Sequence, residues 1–255
     1  MKRITLIFVI VALILSAYQC NKSTSRKVIV VLIDLSESAN KPEMKKLYLD
    51  SFKKIVDKIM HEDALFVAPI TEKSILELNF IVEEENIVPL NITINTNLQV
   101  ERKLRKEGKE KLEAKKQEFL KKVEDVLINQ TRKIYKTDIL SSLNMADERV
   151  FRSFSSQNYK KMLVIMSDMM EDSDVYNFEK QLFSDGKVSE IISSRKEKGL
   201  LPKLNDVKIF VVGANAPSVS KYNDIKKFWI KYFVESGAEL TEEHYSSSCP
   251  VKICE

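Results

Sequence analysis

Glycine is scarce in this chain, five in 255 residues. That scarcity excludes the glycine-rich loops that cradle phosphates in P-loop and dinucleotide enzymes. Histidine is scarcer still. With only His61 and His244 and no G-x-S-x-G elbow, a serine hydrolase lacks both its nucleophile turn and its base. Both histidines read as surface or packing residues. Three cysteines, Cys20, Cys249 and Cys254, are too few for a disulfide scaffold. The formal charge is +4, and removal of a leader containing Lys2 and Arg3 leaves +2, too little for a nucleic-acid binder. What is there is ordinary globular material, 44% hydrophobic and 31% charged, enough to bury one full core.

The amino terminus sets the expected compartment. Lys2 and Arg3 precede an uncharged run from Ile4 to Tyr18, short for a membrane span of about 20 residues and suited to an export signal. The run ends just before Cys20, and polar residues follow to Arg26. This arrangement looks like a bacterial lipoprotein signal, which implies an acylated Cys20, a membrane anchor in residues 1–20, a tether in 21–26 and a place in the cell envelope. An uncleaved anchor and plain secretion are the alternatives. Acylation of Cys20 would leave Cys249 and Cys254 as an even pair, a possible disulfide closing a short loop in the 249–255 tail; a zinc half-site is the other reading of that pair.

One stretch organises the remainder. Val28–Ile33 is a continuous apolar, mostly β-branched run, expected as a strand covered on both faces of a parallel sheet. Asp34, Ser36 and Ser38 follow, at the strand's carboxyl end, where open α/β sheets place their ligands. Along the chain the pattern predicts a helix over Lys41–Met60, a strand over Ala64–Ile70, and an antiparallel edge strand over Ile75–Val82. A further short strand is expected within Ile87–Ile94. From Leu98 to Gln130 a long charged helix is expected, its apolar stripe thickening toward the carboxyl end, with a solvated outer face. Thr137-Asp138 opens a helix to Phe151. Lys161–Met166 is a buried strand ending at Ser167-Asp168. Short helices over Val175–Leu182 and Lys187–Arg195 flank a turn at Asp185-Gly186. A strand over Asp206–Val212, a helix over Tyr222–Glu235 stopped at Ser236-Gly237, and a last strand near Ala238–Tyr245 complete the order. Alternating strands and helices predict an α/β, doubly wound, mostly parallel sheet with helices on both faces.

Asp34-Leu35-Ser36-Glu37-Ser38, the lone Thr137 before a helix, and Ser167-Asp168-Met169 after a buried strand together resemble the metal-ion-dependent adhesion site of von Willebrand factor type A domains. Phe228-Trp229 through Ser236-Gly237-Ala238 is similar to that family's last helix and its turn. The similarity covers residues 27–248, with a helical insertion at about 96–136. It implies a Rossmann-like fold and a divalent cation, Mg2+ or alternatively Mn2+ or Ca2+. Ser36 and Ser38 would bind the ion directly, Thr137 directly or through water, and Asp34 and Asp168 through water. It implies adhesion to a protein ligand at the metal site rather than catalysis. In this chain Ser167 replaces the family's threonine and Met169 its glycine, which puts a bulky side chain on the rim. Glu37, Glu171, Asp172 and Asp174 crowd the same loops, favouring a cation and a neutral or basic partner surface. The short tether would hold Asp34 close to the membrane. Two other functions compete. A metal-dependent hydrolase or phosphatase could use Asp34 as nucleophile, although Ser36 stands where that class commonly has a second carboxylate; a metal-free scaffold could act through the long charged helix.

Overall fold

The computed structural model describes residues 25–72, 79–130, 133–155, 159–181 and 183–253. The expectations for Cys20, for Ile75–Leu78 and for a Cys249–Cys254 bridge rest on residues outside these. The elements in order are β1 (Arg26–Asp34), α1 (Pro42–Asp57), β2 (Ala64–Ile70), β3 (Val82–Glu84), α2 (Leu98–Asn129), α3 (Ile139–Ala146), β4 (Tyr159–Met166), α4 (Asp185–Glu197), β5 (Val207–Val212), α5 (Val219–Glu235) and β6 (Tyr245–Ser246). A π-helical turn, Asp147–Phe151, extends α3.

The six strands form one sheet in the order β3-β2-β1-β4-β5-β6. All pairings are parallel except β2 with β3. This is an α/β, doubly wound, mostly parallel architecture with one antiparallel edge strand. The apolar run in β1 is buried throughout because alternate side chains enter two separate cores. Val28, Val30 and Leu32 meet α3, α4 and α5, where Phe228, Trp229, Tyr232 and Phe233 pack with Phe178. Ile29, Val31 and Ile33 meet α1 and α2. A strand with hydrocarbon on both faces needs no polar alternation, which is why the run is continuous. From β1 the chain goes to one side through α1 to β2, and later returns to the other side at β4. The loops leaving β1 and β4 therefore diverge, opening a crevice at the carboxyl edge, the topological switch point of the sheet.

The insertion is built into the second core. Asn97 caps α2 by accepting a hydrogen bond from the Gln99 amide at 2.8 Å. Phe119 and Val123 are fully buried and Leu112 and Leu127 nearly so. Lys115 pairs with Glu84 of β3 at 3.2 Å. At Gly108 the helix passes under Leu90, where a Cβ would come within 2.4 Å of that side chain, so glycine permits the close approach.

Several expectations are corrected. No strand forms within Ile87–Ile94: Val88 has a positive φ of 43° and Pro89 lacks a ladder donor. The antiparallel edge strand is Val82–Glu84, later and shorter than expected. No helix forms over the described part of Val175–Leu182, because its backbone closes back on the preceding loop. Ser173 N donates to Tyr176 O and Phe178 N to Glu171 O, both at 2.8 Å. Asp185-Gly186 begins α4 rather than forming a turn before it, since the Ser184 hydroxyl caps that helix through the Lys187 amide. Gly237, with φ of 79°, ends α5 as expected. Ile253, in the expected tail, is buried in the second core.

Candidate functional site

The sheet register assembles the site. Ile33 pairs with Met166, so the next residues along, Asp34 and Ser167, stand side by side where the strands end. The Ser167 hydroxyl donates to Asp34 Oδ2 at 2.9 Å, and the Ser36 amide donates to Asp34 Oδ1 at 2.8 Å. Asp34 is 1% exposed and sits beneath the crevice. Above it the Ser36 and Ser38 hydroxyls are 3.0 Å apart. Ser36, Ser38, Thr137 and Asp168 line one cleft of about 460 Å³. The structure thus brings together residues spread over more than half of the chain.

Thr137 arrives there by backbone pairing. Its amide and carbonyl exchange hydrogen bonds with Asp172, both at 2.9 Å, which fixes the loop before α3 to the loop after β4. Glu171 secures the same junction. Its Oε2 accepts from the amides of Ile139 and Leu140, at 2.8 and 3.1 Å, so a carboxyl group meets the positive end of α3. The loop of Ser36 is held from the other side by the end of the insertion. Gln130 Nε2 donates to Leu35 O at 2.9 Å, and Glu37 N donates to Ile134 O at 3.0 Å.

Burial decides the electrostatics. Desolvation pushes the Asp34 carboxyl well above the usual carboxylate range, the neighbouring Asp168 charge pushes it further, and bonds from Ser36 and Ser167 oppose both. Asp168 is raised by burial too, against the Met170 amide, the Ser38 hydroxyl and the charge of Lys41. Two desolvated acids facing each other beneath hydroxyls favour a bound positive charge. Among the described residues no group of three or more His, Cys, Asp or Glu could hold a metal ion. A metal here would depend on hydroxyl oxygens with two acids around them.

Met169 corrects one expectation. Its side chain is not on the rim but fully buried in the first core. Its backbone takes the left-handed conformation, φ 67°, that glycine adopts without strain. Its carbonyl accepts from Trp229 Nε1 at 3.0 Å. The half-buried Met170 lines the cleft instead. Asp174 pairs with Lys136 and does not line the cleft.

Sequence reasoning missed Tyr48 of α1, a fully buried residue whose hydroxyl has no hydrogen-bond partner among the described residues. Its pKa is raised by burial and by the charges of Asp34 and Asp168. No motif in the helix expected over Lys41–Met60 marks it. Tyr135, Glu179 and Asn215 also line the cleft, and no local motif marks them.

No family model matches the sequence, and no curated protein matches it. Solved structures are similar to it at low identity. Manganese-loaded TRAP protein of Plasmodium vivax is 12% identical over 87% of this chain and 68% of that one, with a TM-score of 0.47. Proximal thread matrix protein 1 from the mussel byssus, with a zinc-occupied MIDAS motif, is 16% identical over 80% of this chain and 42% of that one, TM-score 0.41. A von Willebrand factor type A structure from Catenulispora acidiphila is 11% identical over 82% and 37%, TM-score 0.38. The chain spans about two fifths of the lengths of the latter two.

Proposed function

We propose that this type A-like domain binds one divalent cation in the cleft at the end of β1 and uses it to engage a protein partner, without catalysing a reaction. The observation that carries this reading is the spacing of the two serine hydroxyls. Ligands at 2.0–2.1 Å in adjacent octahedral positions stand about 2.9 Å apart, and Ser36 Oγ and Ser38 Oγ are 3.0 Å apart. The same distance is a hydroxyl–hydroxyl hydrogen bond, so the pair holds this spacing before an ion arrives. The longer bonds of Ca2+ would require a wider pair, which favours Mg2+ or Mn2+.

In this reading Ser36 and Ser38 hold the ion directly, Thr137 holds it directly or through water, and Asp34 and Asp168 supply the charge beneath. A bound cation of this kind supplies a Lewis-acidic position that an oxygen of the partner can occupy. The chain's own residues do the remainder. Ser167 and the Ser36 amide keep Asp34 oriented, and the Thr137–Asp172 bridge keeps the threonine over the cleft. The hydrolase alternative gains no support from the cleft, whose lining among the described residues includes no histidine and, of the lysines and arginines, Lys41 alone.

We also propose an exported, membrane-tethered protein, acylated at Cys20, in the cell envelope. No helix of the described residues is long and apolar enough to cross a membrane. β1 leads away from the tether for nine residues at about 3.3 Å each, so Asp34 lies roughly 26 Å from Arg26. In this reading the cleft stands one length of β1 away from the end of the tether.

Calorimetry of the full chain, purified in detergent and titrated with MgCl2 or MnCl2, tests the metal reading. One site is expected, and Asp34→Asn should weaken it by 10- to 100-fold, the usual effect of losing a residue behind the direct ligands. Absence of binding, or binding indifferent to Asp34→Asn and Ser36→Ala, would refute it.

A further inference from the structure

The first third of α2 stands outside both cores. Gly108 lies against His61, where a Cβ would come within 3.2 Å of the imidazole Cε1, and the neighbouring Glu62 pairs with Arg26 at the start of β1. Farther along α2, Lys116 Nζ donates to Asp57 O at 3.4 Å and Gln130, just past its end, reaches Leu35. The helix therefore climbs from the pole where β1 begins toward the cleft, and Leu98–Glu107 precede that pole. At about 1.5 Å per residue they overhang it by about 15 Å.

This overhang has an apolar tip and a basic collar. Ile94, Leu98 and Val100 are 100%, 61% and 51% exposed. Leu98, Arg102 and Lys106, four apart, share one helical face with Lys103 and Lys109 beside them, and all five are exposed. The acids stand off that face. Glu101 and Glu107 are half-buried and are held by Arg105 and Lys103, whereas Arg102, Lys106 and Lys109 have no acidic partner among the described residues. Hydrocarbon at the tip and cations just behind it match the boundary of an anionic bilayer. The depth agrees: Arg102 is about 6 Å behind Leu98 along the helix, and the headgroup layer of one leaflet is about 5–7 Å thick.

We propose, resting on the tethered reading above, that this end of α2 is a second membrane contact, in which Ile94, Leu98 and Val100 enter the interface and Arg102, Lys103 and Lys106 bind anionic headgroups. The reach of the tether says what covers the tip. The six residues from Asn21 to Arg26 span at most roughly 20 Å, and the overhang takes up about 15 Å at the same pole. A domain anchored at Cys20 therefore meets the bilayer with this tip. One acyl anchor holds a protein only marginally, and a basic patch beside it makes the attachment stable. The second contact also fixes the domain's orientation, with the cleft at the opposite end of α2.

The full chain carrying Leu98→Trp, reconstituted with vesicles of phosphatidylcholine, pure or mixed with phosphatidylglycerol, tests this when the acyl chains are brominated. Flotation reads the tether, and quenching of the introduced indole reads the arm. The wild-type chain, whose one tryptophan, Trp229, is fully buried, gives the background. Quenching above that background is expected, stronger with phosphatidylglycerol. It should fall several-fold when Arg102→Gln and Lys106→Gln are added, the scale being about fivefold for each basic residue lost. Flotation without quenching of the introduced indole would overturn the proposal and leave the tether standing. Quenching indifferent to lipid charge and to both glutamine substitutions would also overturn it, since the basic collar would then bind nothing. Flotation and quenching confined to phosphatidylglycerol vesicles would refute the tether and support the arm; absence of both would refute both.

Discussion

Replacement of Met169 by glycine and by alanine should reverse the order that side-chain size alone predicts. Met169 combines a backbone conformation that costs an L-residue about 1–2 kcal/mol with a side chain fully buried against α5. Truncating such a methionine to alanine removes the packing and keeps the strained backbone, a loss of about 2–5 kcal/mol. Glycine removes one carbon more, yet it adopts φ near 67° freely. At positions of positive φ, glycine exceeds alanine by about 1 kcal/mol. The expected order of stability is therefore Met, then Gly, then Ala. Urea unfolding followed by tryptophan fluorescence measures it directly, because Trp229 is the only tryptophan and donates to the Met169 carbonyl. If Met169→Ala equals or exceeds Met169→Gly, the left-handed backbone is not a constraint at this position. If glycine exceeds methionine, the side chain contributes little and the first core is not what holds the loop.

Two further outcomes follow from burial. Glu171 has its pKa raised to about 8, chiefly by desolvation and then by Asp138, while in the unfolded chain it titrates near 4.5. Its favourable neutral form is thus fully present at low pH, and the unfolded state loses the proton first. Stability should fall as pH rises from about 4.5 to about 8, by on the order of 5 kcal/mol from this group. Asp34, raised for the same reason, adds to the fall in the same direction. Glu171→Gln, which keeps an acceptor for the α3 amides and cannot ionise, should flatten the slope in urea unfolding at successive pH values; an unchanged slope would mean that Glu171 is not the group responsible. Phe119→Ala should cost about 3–5 kcal/mol in thermal or urea unfolding, because α2 completes the second core; a cost below about 1 kcal/mol would mean that α2 is not a working part of that core.

The sheet was legible because its strands are covered on both faces: Val28–Ile33 and Ala64–Ile70 are continuous apolar runs with no other reading at that length. The lone antiparallel strand was legible in kind but not in place, because an edge strand of three residues leaves almost no pattern. Ile87–Ile94 misled because alternation and β-branching occur there without a neighbouring strand to pair with, and Val88 and Pro89 set the backbone locally. The segment after Glu171 misled in the opposite sense, since apolar spacing suggested a helix while its amides were already committed to a hairpin-like closure. At the site, Asp34, Ser36 and Ser38 stood out at the end of a buried strand, while Thr137 and Asp168 could be named through the resemblance to type A domains. Tyr48 and Glu179 could not be given roles, because no local motif marks them. Met169 shows the limit of carrying a pattern over by position. The departure from glycine was visible, but whether the side chain pointed out or in was decided by the core beneath.

The long insertion and the cleft are mechanically one unit. The end of α2 leads into Gln130 and Ile134, which hold the backbone of Leu35 and Glu37, while the body of α2 is fixed to α1 and β3 by Phe119, Val123 and the Lys115–Glu84 pair. On the other side Thr137 is fixed to Asp172, and Glu171 to the start of α3. The loop bearing Ser36 and Ser38 is therefore clamped by the insertion, and the loop bearing Asp168 by Trp229 and α3. Such a site needs little ordering when a ligand arrives, so affinity is not diminished by the entropy of arranging loops. It also removes the sharp choice between a scaffold acting through α2 and an adhesion module acting through the cleft. Any partner that shifts the carboxyl end of α2 moves Leu35 and Glu37, and with them the two serine hydroxyls whose 3.0 Å spacing suits the cation.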